Sequence, residues 1–362
     1  MKTNSLRSPP GAGARSLPRE PLGPRKGPDR PGRPRTEVSD LLGSSCYRAL
    51  SDDALKDEDN AAWVLSLPPD AQGAWLPRIH WIRLVDRLAE NELFEPGVRR
   101  FARFLEAWRR LRDEGVVDPA GPFARELEGI RQTWLPGAAG AGPPEAEAMA
   151  RRCAAAWDAY LEALHDYHGP AVSLATLREH DEMLWRLSGR IFQLVPFLTA
   201  SVWDAAGEFG RLDQFLNNLR DLQEDADSGV CYFPDDVLDA SGVTRGEVLS
   251  GRCHHNPGYR RLMEFWLDER LPALRAQAAG FVEATGLHPS LEIMRAWSID
   301  RHARIERVMR AVDLDFRRFP ERYWAEVRRD LARRGAAGPP LRGTRGDARG
   351  DARRDHTQDQ PA

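Results

Sequence analysis

Apolar residues recur at helical spacing along most of the chain. Between Leu84 and Leu111 they return about every 3.6 residues, and charged residues fill the positions between them. The same period continues in five later segments: 157–164, 184–203, 209–222, 262–282 and 291–316. No comparable run alternates apolar and polar residues as a half-buried strand does. The pattern therefore predicts an all-α fold.

The two ends of the chain lack this pattern. Residues 1–37 are crowded with Pro, Gly and Arg, and residues 335–362 repeat the sequence RGDA. Such composition predicts disordered tails, because it offers few apolar residues to bury. The stretch 38–334 is close to the upper size of about 300 residues for a single hydrophobic core. We therefore predict one all-α domain between two disordered tails.

Composition and charge exclude several classes of protein. Of the 362 residues 41% are apolar, which is enough for a sizeable core. The 52 basic and 55 acidic residues nearly cancel, so no whole-protein attraction to nucleic acid or an anionic membrane is expected. The mean hydropathy of −0.55, without an apolar run of about 18 residues, argues against a transmembrane helix. The four cysteines form no CxxC pair, which predicts free thiols and a cytoplasmic location.

The segment 213–229 carries a polar row along one side of a predicted helix. Its members follow at intervals of four, so they share one face: Asp213, Asn217, Asp221 and Asp225. Like charges at this spacing repel by about 0.2–0.5 kcal/mol per pair, and Glu224 adds another carboxylate. Mg²⁺ would relieve the repulsion, because it binds carboxylate oxygens together with substrate phosphates. The alternative is an acidic face that contacts only solvent.

Two other charged patterns are less specific. Asp86 and Glu90 lie one helical turn apart, with Arg83 one turn earlier, and such pairs more often form surface ion pairs. Four arginines recur at intervals of three: Arg301, Arg304, Arg307 and Arg310. For these arginines we predict a solvent-exposed face, and capture of a diphosphate is the alternative.

Taken together, these segments resemble the squalene and phytoene synthase family. Residues 214–225, QFLNNLRDLQED, and then GVCYFP at 229–234 are similar to its second aspartate-rich motif, QxxNxLRDxxED followed by GRxYxP. Residues 83–90, RLVDRLAE, resemble its first motif, RxxDDxxD, and follow a Leu-Pro step at 67–68. Ser188-Gly189 is similar to an AGxVG step in the same family. The resemblance covers residues 60–320.

The resemblance implies an isoprenoid-synthase-like helical bundle around a central cavity. In that family two aspartate-rich helices face each other and hold Mg²⁺ ions that bind an allylic prenyl diphosphate. The implied catalytic carboxylates, which are also metal ligands, are Asp86, Glu90, Asp221 and Asp225, and Glu224 joins the metal set. The implied diphosphate-binding residues are Arg83, Gln214, Asn217, Arg220 and Tyr232.

Departures from the family motifs bear on the second substrate. Arg87 stands at the second aspartate of the first motif, Glu90 at its last, and Val230 where the family has an arginine. Fewer cations favour one bound diphosphate over two. We therefore predict a Mg²⁺-dependent prenyltransferase that alkylates an aromatic acceptor without a diphosphate, similar to the phytoene-synthase-like enzymes of specialised metabolism. A head-to-head squalene or phytoene synthase and a catalytically inactive scaffold protein are the alternatives.

Overall fold

The computed structural model describes residues 53–94, 97, 99–135, 144–168 and 172–337. These residues form twelve helices and no strand, which confirms the predicted all-α fold. They belong to one compact unit. The predicted tails lie outside the described residues, except that the last helix continues to Ala337. The domain boundaries at 38 and 334 stay predictions.

The first five helices include the longest one of the bundle, α2. Their bounds are α1 Asp53–Ala61, α2 Pro69–Phe94, α3 Arg100–Glu114, α4 Ala124–Trp134 and α5 Pro144–Tyr167. A 3₁₀ turn at Ala62–Ser66 joins α1 to α2. Helix α3 illustrates why the pattern is helical, since its apolar residues at 101, 104, 105, 108 and 111 are all buried on one face.

Two of the remaining seven helices contain a π-helical segment. Helix α6 runs from Leu177–Leu184 through the π segment Trp185–Gly189 to Arg190–Gln193. Helix α10 runs likewise from Tyr259–Glu264 through Phe265–Arg270 to Leu271–Val282. The other five are α7 Trp203–Asp227, α8 Asp235–Ser241, α9 Arg245–Leu249, α11 Pro289–Ala311 and α12 Phe319–Ala337.

Helix α7 occupies the centre of the bundle. It packs against α6, α10, α11 and α12, and its apolar side buries residues such as Phe209, Phe215 and Leu216. Helix α2 packs instead against α3, α4 and α5. None of the described helices combines the length and the apolar character that a membrane crossing requires. Three of the predicted free thiols, at 153, 231 and 253, are free cysteines, and Cys46 lies outside the described residues.

Close packing of α6 against α7 depends on Gly210. A Cβ atom at this position would collide with the backbone of Ser188 and Gly189. We expect Gly210→Ala to lower the free energy of unfolding by about 1–3 kcal/mol, because neither backbone can yield without moving a helix. Urea denaturation checks this value. Gly246→Ala is the matched control, since no atom lies within 4 Å of a Cβ there, and an equal loss in both variants would contradict the explanation.

Candidate active site

A cavity of about 320 Å³ lies between α2 and α7 and is closed by parts of α1, α5, α6 and α11. Every site residue predicted from the sequence lines this cavity. From α2 and the loop after α7 these are Arg83, Asp86, Glu90 and Tyr232. From α7 itself they are Gln214, Asn217, Arg220, Asp221, Glu224 and Asp225. The structure thus brings the two acidic motifs together, and the roles assigned to their residues stay predictions.

Tyr232 marks the place where the two motifs meet. Burial raises the pKa of its phenol well above the ordinary value, and the charges of Asp225, Asp86, Glu90 and Asp221 raise it further. One phenol therefore lies within electrostatic reach of carboxylates from both helices. The acidic residues of α2 and α7 face a common space.

The three carboxylates of α7 differ in their neighbours. Arg220 donates two hydrogen bonds to the carboxylate of Asp221, from Nε at 2.9 Å and from Nη2 at 2.8 Å. Burial opposes ionisation of Asp221, but the charges of Arg220 and Lys56 together with the hydrogen bonds from Arg220 outweigh it and lower the pKa to about 2. Lys56 donates to Glu224 at 2.6 Å. Burial and the nearby charges of Asp221 and Glu224 instead raise the pKa of Asp225 well above its ordinary value.

On the opposite wall the acids of α2 lie beside a histidine. Asp86 accepts a hydrogen bond from Arg83 Nη1 at 2.6 Å. One ligand atom each of Asp86, Glu90 and His168 lies within 4.8 Å of the others. His168 follows the end of α5, and the sequence reasoning did not select it.

The polar residues Gln214 and Asn217 are held by their neighbours. Ser188 Oγ donates to Gln214 Oε1 at 2.6 Å, and Gln214 Nε2 donates to Asn218 Oδ1 at 2.8 Å. Asn217 Nδ2 donates to Asp213 at 3.0 Å, while its buried Oδ1 has no partner in the described part of the chain. The amides are therefore fixed in orientation at the cavity wall.

Helix α1 supplies polar groups that the sequence reasoning missed. Lys56 and Asn60 line the cavity, and Asn60 Oδ1 accepts hydrogen bonds from both Arg220 and Arg301. Asp57 is fully buried and accepts from Arg83 and Arg87. In the sequence, the acidic run at 57–59 resembles a solvent-exposed helix. The one sequence signal for the burial of Asp57 is indirect: Arg83 and Arg87 lie one helical turn apart and would need acidic partners if they were buried.

The cation count of the cavity differs from the sequence-based expectation. Arg87 is buried against Asp57 instead of lining the cavity, and Val230 does line it. Among the described residues five cationic side chains nevertheless line the space: Lys56, Arg78, Arg83, Arg220 and Arg301. The family motifs had identified only Arg83 and Arg220, so the site is richer in cations than the motifs indicated.

The arginine row of α11 is buried in its first half. Arg301 and Arg304 are almost inaccessible, so the prediction of a solvent-exposed face is wrong for these two residues. Arg301 donates to Asp213 and Arg304 to Asp59 at 2.6 Å, and these acids from other helices neutralise the buried charges. Arg307 and Arg310 are exposed, as predicted.

Asp213 gives the fold a testable dependence on pH. Burial opposes its ionisation, but Arg301 and the hydrogen bond with His302 hold its pKa well below the usual range. Its stabilisation is therefore complete above the unfolded-state value of 3.8 and is lost as the pH falls toward the lower native value. We expect Asp213→Asn to lose about 1.5–3 kcal/mol at pH 7. Denaturation at several pH values should show this difference shrinking below pH 3.8, and a constant difference would contradict the assignment.

The helical bundle and its acid-lined cavity define the isoprenoid-synthase class of fold. Residues 54–328 match the family described as Squalene/phytoene synthase. The chain therefore belongs to the squalene/phytoene synthase family, as its motifs predicted. Members of this family are prenyltransferases, and the family is typically dependent on divalent metal ions. A comparison with curated proteins finds no match.

Two solved structures are similar to the chain. A dehydrosqualene synthase in complex with ligand has a TM-score of 0.54 and 12% identity, over 82% of this chain and 99% of that one. Squalene synthase HpnC from Alicyclobacillus acidocaldarius has a TM-score of 0.50 and 18% identity, over 76% of this chain and 93% of that one. At such identities the likeness shows the fold alone, and it confirms the predicted isoprenoid-synthase-like bundle.

The residues of the cavity fit divalent metal ions. Six carboxylates from two helices line it: Asp86, Glu90, Asp213, Asp221, Glu224 and Asp225. Asp213 is paired with Arg301 and His302, and the other five belong to the two acidic motifs. Burial and the neighbouring charges of Asp221 and Glu224 raise the pKa of Asp225, and a bound cation would favour its ionised form. Oxygen donors of this kind are the ligands that Mg²⁺ prefers.

Proposed function

We propose that the protein is a Mg²⁺-dependent prenyltransferase that ionises an allylic prenyl diphosphate. The observation that carries the proposal is the convergence of the acidic residues of α2 and α7 on one cavity. Bound Mg²⁺ supplies Lewis-acid chemistry, which neutralises the departing diphosphate. Asp86 and Glu90 would hold it on one wall, and Asp221, Glu224 and Asp225 on the other.

The other lining residues suit the two ends of such a substrate. Lys56, Arg83 and Arg220 place positive charge next to the carboxylates, where a diphosphate would bind. Gln214 and Asn217 can donate or accept hydrogen bonds in fixed orientations. An apolar wall formed by Ile79, Ile82, Leu164, Leu187 and Val195 would shield an allylic cation from water.

As second substrate we favour another prenyl diphosphate, joined head to head. The five lining cations support this reaction, as do the similar structures of a dehydrosqualene synthase and a squalene synthase. Arg78 is the lining cation that no carboxylate of the described chain binds, and its Nη1 donates only to the carbonyl of Ala74, at 2.7 Å. It is therefore available to an anionic group of the second substrate.

An aromatic acceptor in specialised metabolism is the second candidate. Val230 at the cavity wall and the loss of the second aspartate to Arg87 favour it, because both changes reduce the capacity for a second diphosphate. The remaining lining cations besides Arg78 already contact carboxylates. A phenolate would need less compensating charge than a diphosphate does.

Product analysis separates these reactions. The purified protein is incubated with dimethylallyl, geranyl or farnesyl diphosphate and Mg²⁺, with and without phenolic acceptors, while diphosphate release and products are measured. Hydrocarbons built from two prenyl units support head-to-head synthesis, and prenylated phenols support the second candidate. Absence of Mg²⁺-dependent diphosphate release with every substrate would overturn the proposal and favour the inactive scaffold.

A further inference from the structure

His168 is the one histidine among the described residues that shares a ligand-sized space with carboxylates of the cavity. It is the residue that follows α5, and it faces Asp86 and Glu90 of α2. Each of these three residues places one ligand atom within 4.8 Å of the ligand atoms of the other two. Ligands on opposite sides of one ion are about 4.2 Å apart when each bond is about 2.1 Å. The three side chains can therefore reach a single ion with small adjustments.

The imidazole of His168 is available for this role. Its Nδ1 atom is buried and has no hydrogen-bond partner within the described residues. A buried polar atom without a partner is destabilising, so such an atom in a cavity wall indicates an absent ligand.

We infer that His168 is a third ligand of the metal ion held by Asp86 and Glu90, and that this mixed site prefers a divalent transition metal to Mg²⁺. Carboxylates suit Mg²⁺ and Mn²⁺ alike, whereas imidazole suits first-row transition metals and adds little for Mg²⁺. The described α7 wall offers carboxylates and amides but no imidazole, so the two walls should differ in the ions they select. The location of this site rests on the proposed function, but its metal preference does not require that any substrate react.

Metal binding to the full-length protein without substrate tests the inference. Mn²⁺ binding is followed by electron paramagnetic resonance and is then competed with Mg²⁺. We expect Mn²⁺ to bind at least about tenfold more tightly than Mg²⁺, and His168→Gln to reduce Mn²⁺ affinity about 10–100-fold with little change for Mg²⁺. Pulsed measurements on the wild-type protein should show coupling of Mn²⁺ to an imidazole nitrogen.

Two further variants keep the test decisive. His165→Gln changes an exposed histidine in the last turn of α5, three residues before His168, and should leave both affinities unchanged. His168→Asp restores an all-oxygen set and should bring the affinities for Mn²⁺ and Mg²⁺ closer together. Absence of nitrogen coupling in the wild-type protein overturns the inference even if His168→Gln fails to fold. A protein that binds Mn²⁺ through nitrogen yet releases no diphosphate would contradict only the proposed function.

Discussion

Asp225→Asn is expected to lower Mg²⁺-dependent diphosphate release by at least about 10²–10³-fold. The substitution preserves the shape of the side chain and removes a carboxylate whose pKa is raised by burial and by the neighbouring charges of Asp221 and Glu224. Since the raised pKa means that folding disfavours this charge, the variant should be at least as stable as the wild type at pH 7. Steady-state kinetics together with urea denaturation measures both effects.

The control for this variant lies on the same helix. Asp227 is exposed at the end of α7 and accepts a hydrogen bond from Gln223 at 2.7 Å. Asp227→Asn should therefore retain wild-type kinetics. Activity of Asp225→Asn within a factor of about three of the wild type would remove this carboxylate from the proposed metal site.

Asp59→Ala is expected to lower the free energy of unfolding by about 3–5 kcal/mol. The carboxylate is fully buried in α1, where it accepts hydrogen bonds from Arg304 and from the Tyr323 hydroxyl, each at 2.6 Å. Its removal leaves a buried guanidinium without this partner and weakens the attachment of α1 to α11 and α12, although Trp297 and Arg301 of α11 still donate to the Asp59 carbonyl and to Asn60. Because α1 also carries Lys56 and Asn60 to the cavity, activity should fall with stability.

Asp330→Ala provides the comparison. Asp330 pairs with the same Arg304 at 3.2 Å, but its side chain is 33% exposed, so its loss should remove less than about 1 kcal/mol. Chemical denaturation of both variants gives the two values. If they agreed within about 0.5 kcal/mol, the buried ion pair would not be what holds α1 to the bundle.

The sequence predicts the α7 wall because a helix fixes the relative positions of its own residues. A spacing of four between Asn217, Asp221 and Asp225 suffices to place them on one face. The family motifs then predict the long-range contact, namely that the acidic residues of α2 face the same cavity. For Arg83 and Tyr232 the motifs likewise predict the location, although not the charges around them.

The missed residues depend on partners far away in the chain. Burial of Arg304 requires Asp59, 245 residues earlier, and no local pattern shows that pairing. Lys56 and Asp57 belong to a short helix whose charges look solvated until α2 and α7 are placed against it. His168 follows the end of its helix, where the periodic pattern stops, so its proximity to Asp86 becomes evident only in three dimensions.

The π segment at Trp185–Gly189 has a consequence for natural sequence variation. Such a segment accommodates one residue more than regular winding does, and each residue advances the helix by about 100°. A deletion of a single amino acid there would restore ordinary winding, yet it would rotate Ile191, Phe192 and Val195 away from the cavity that they line. Chain length within this helix is therefore as constrained as the identity of its side chains, and homologues that lack the extra residue should enclose a differently shaped cavity.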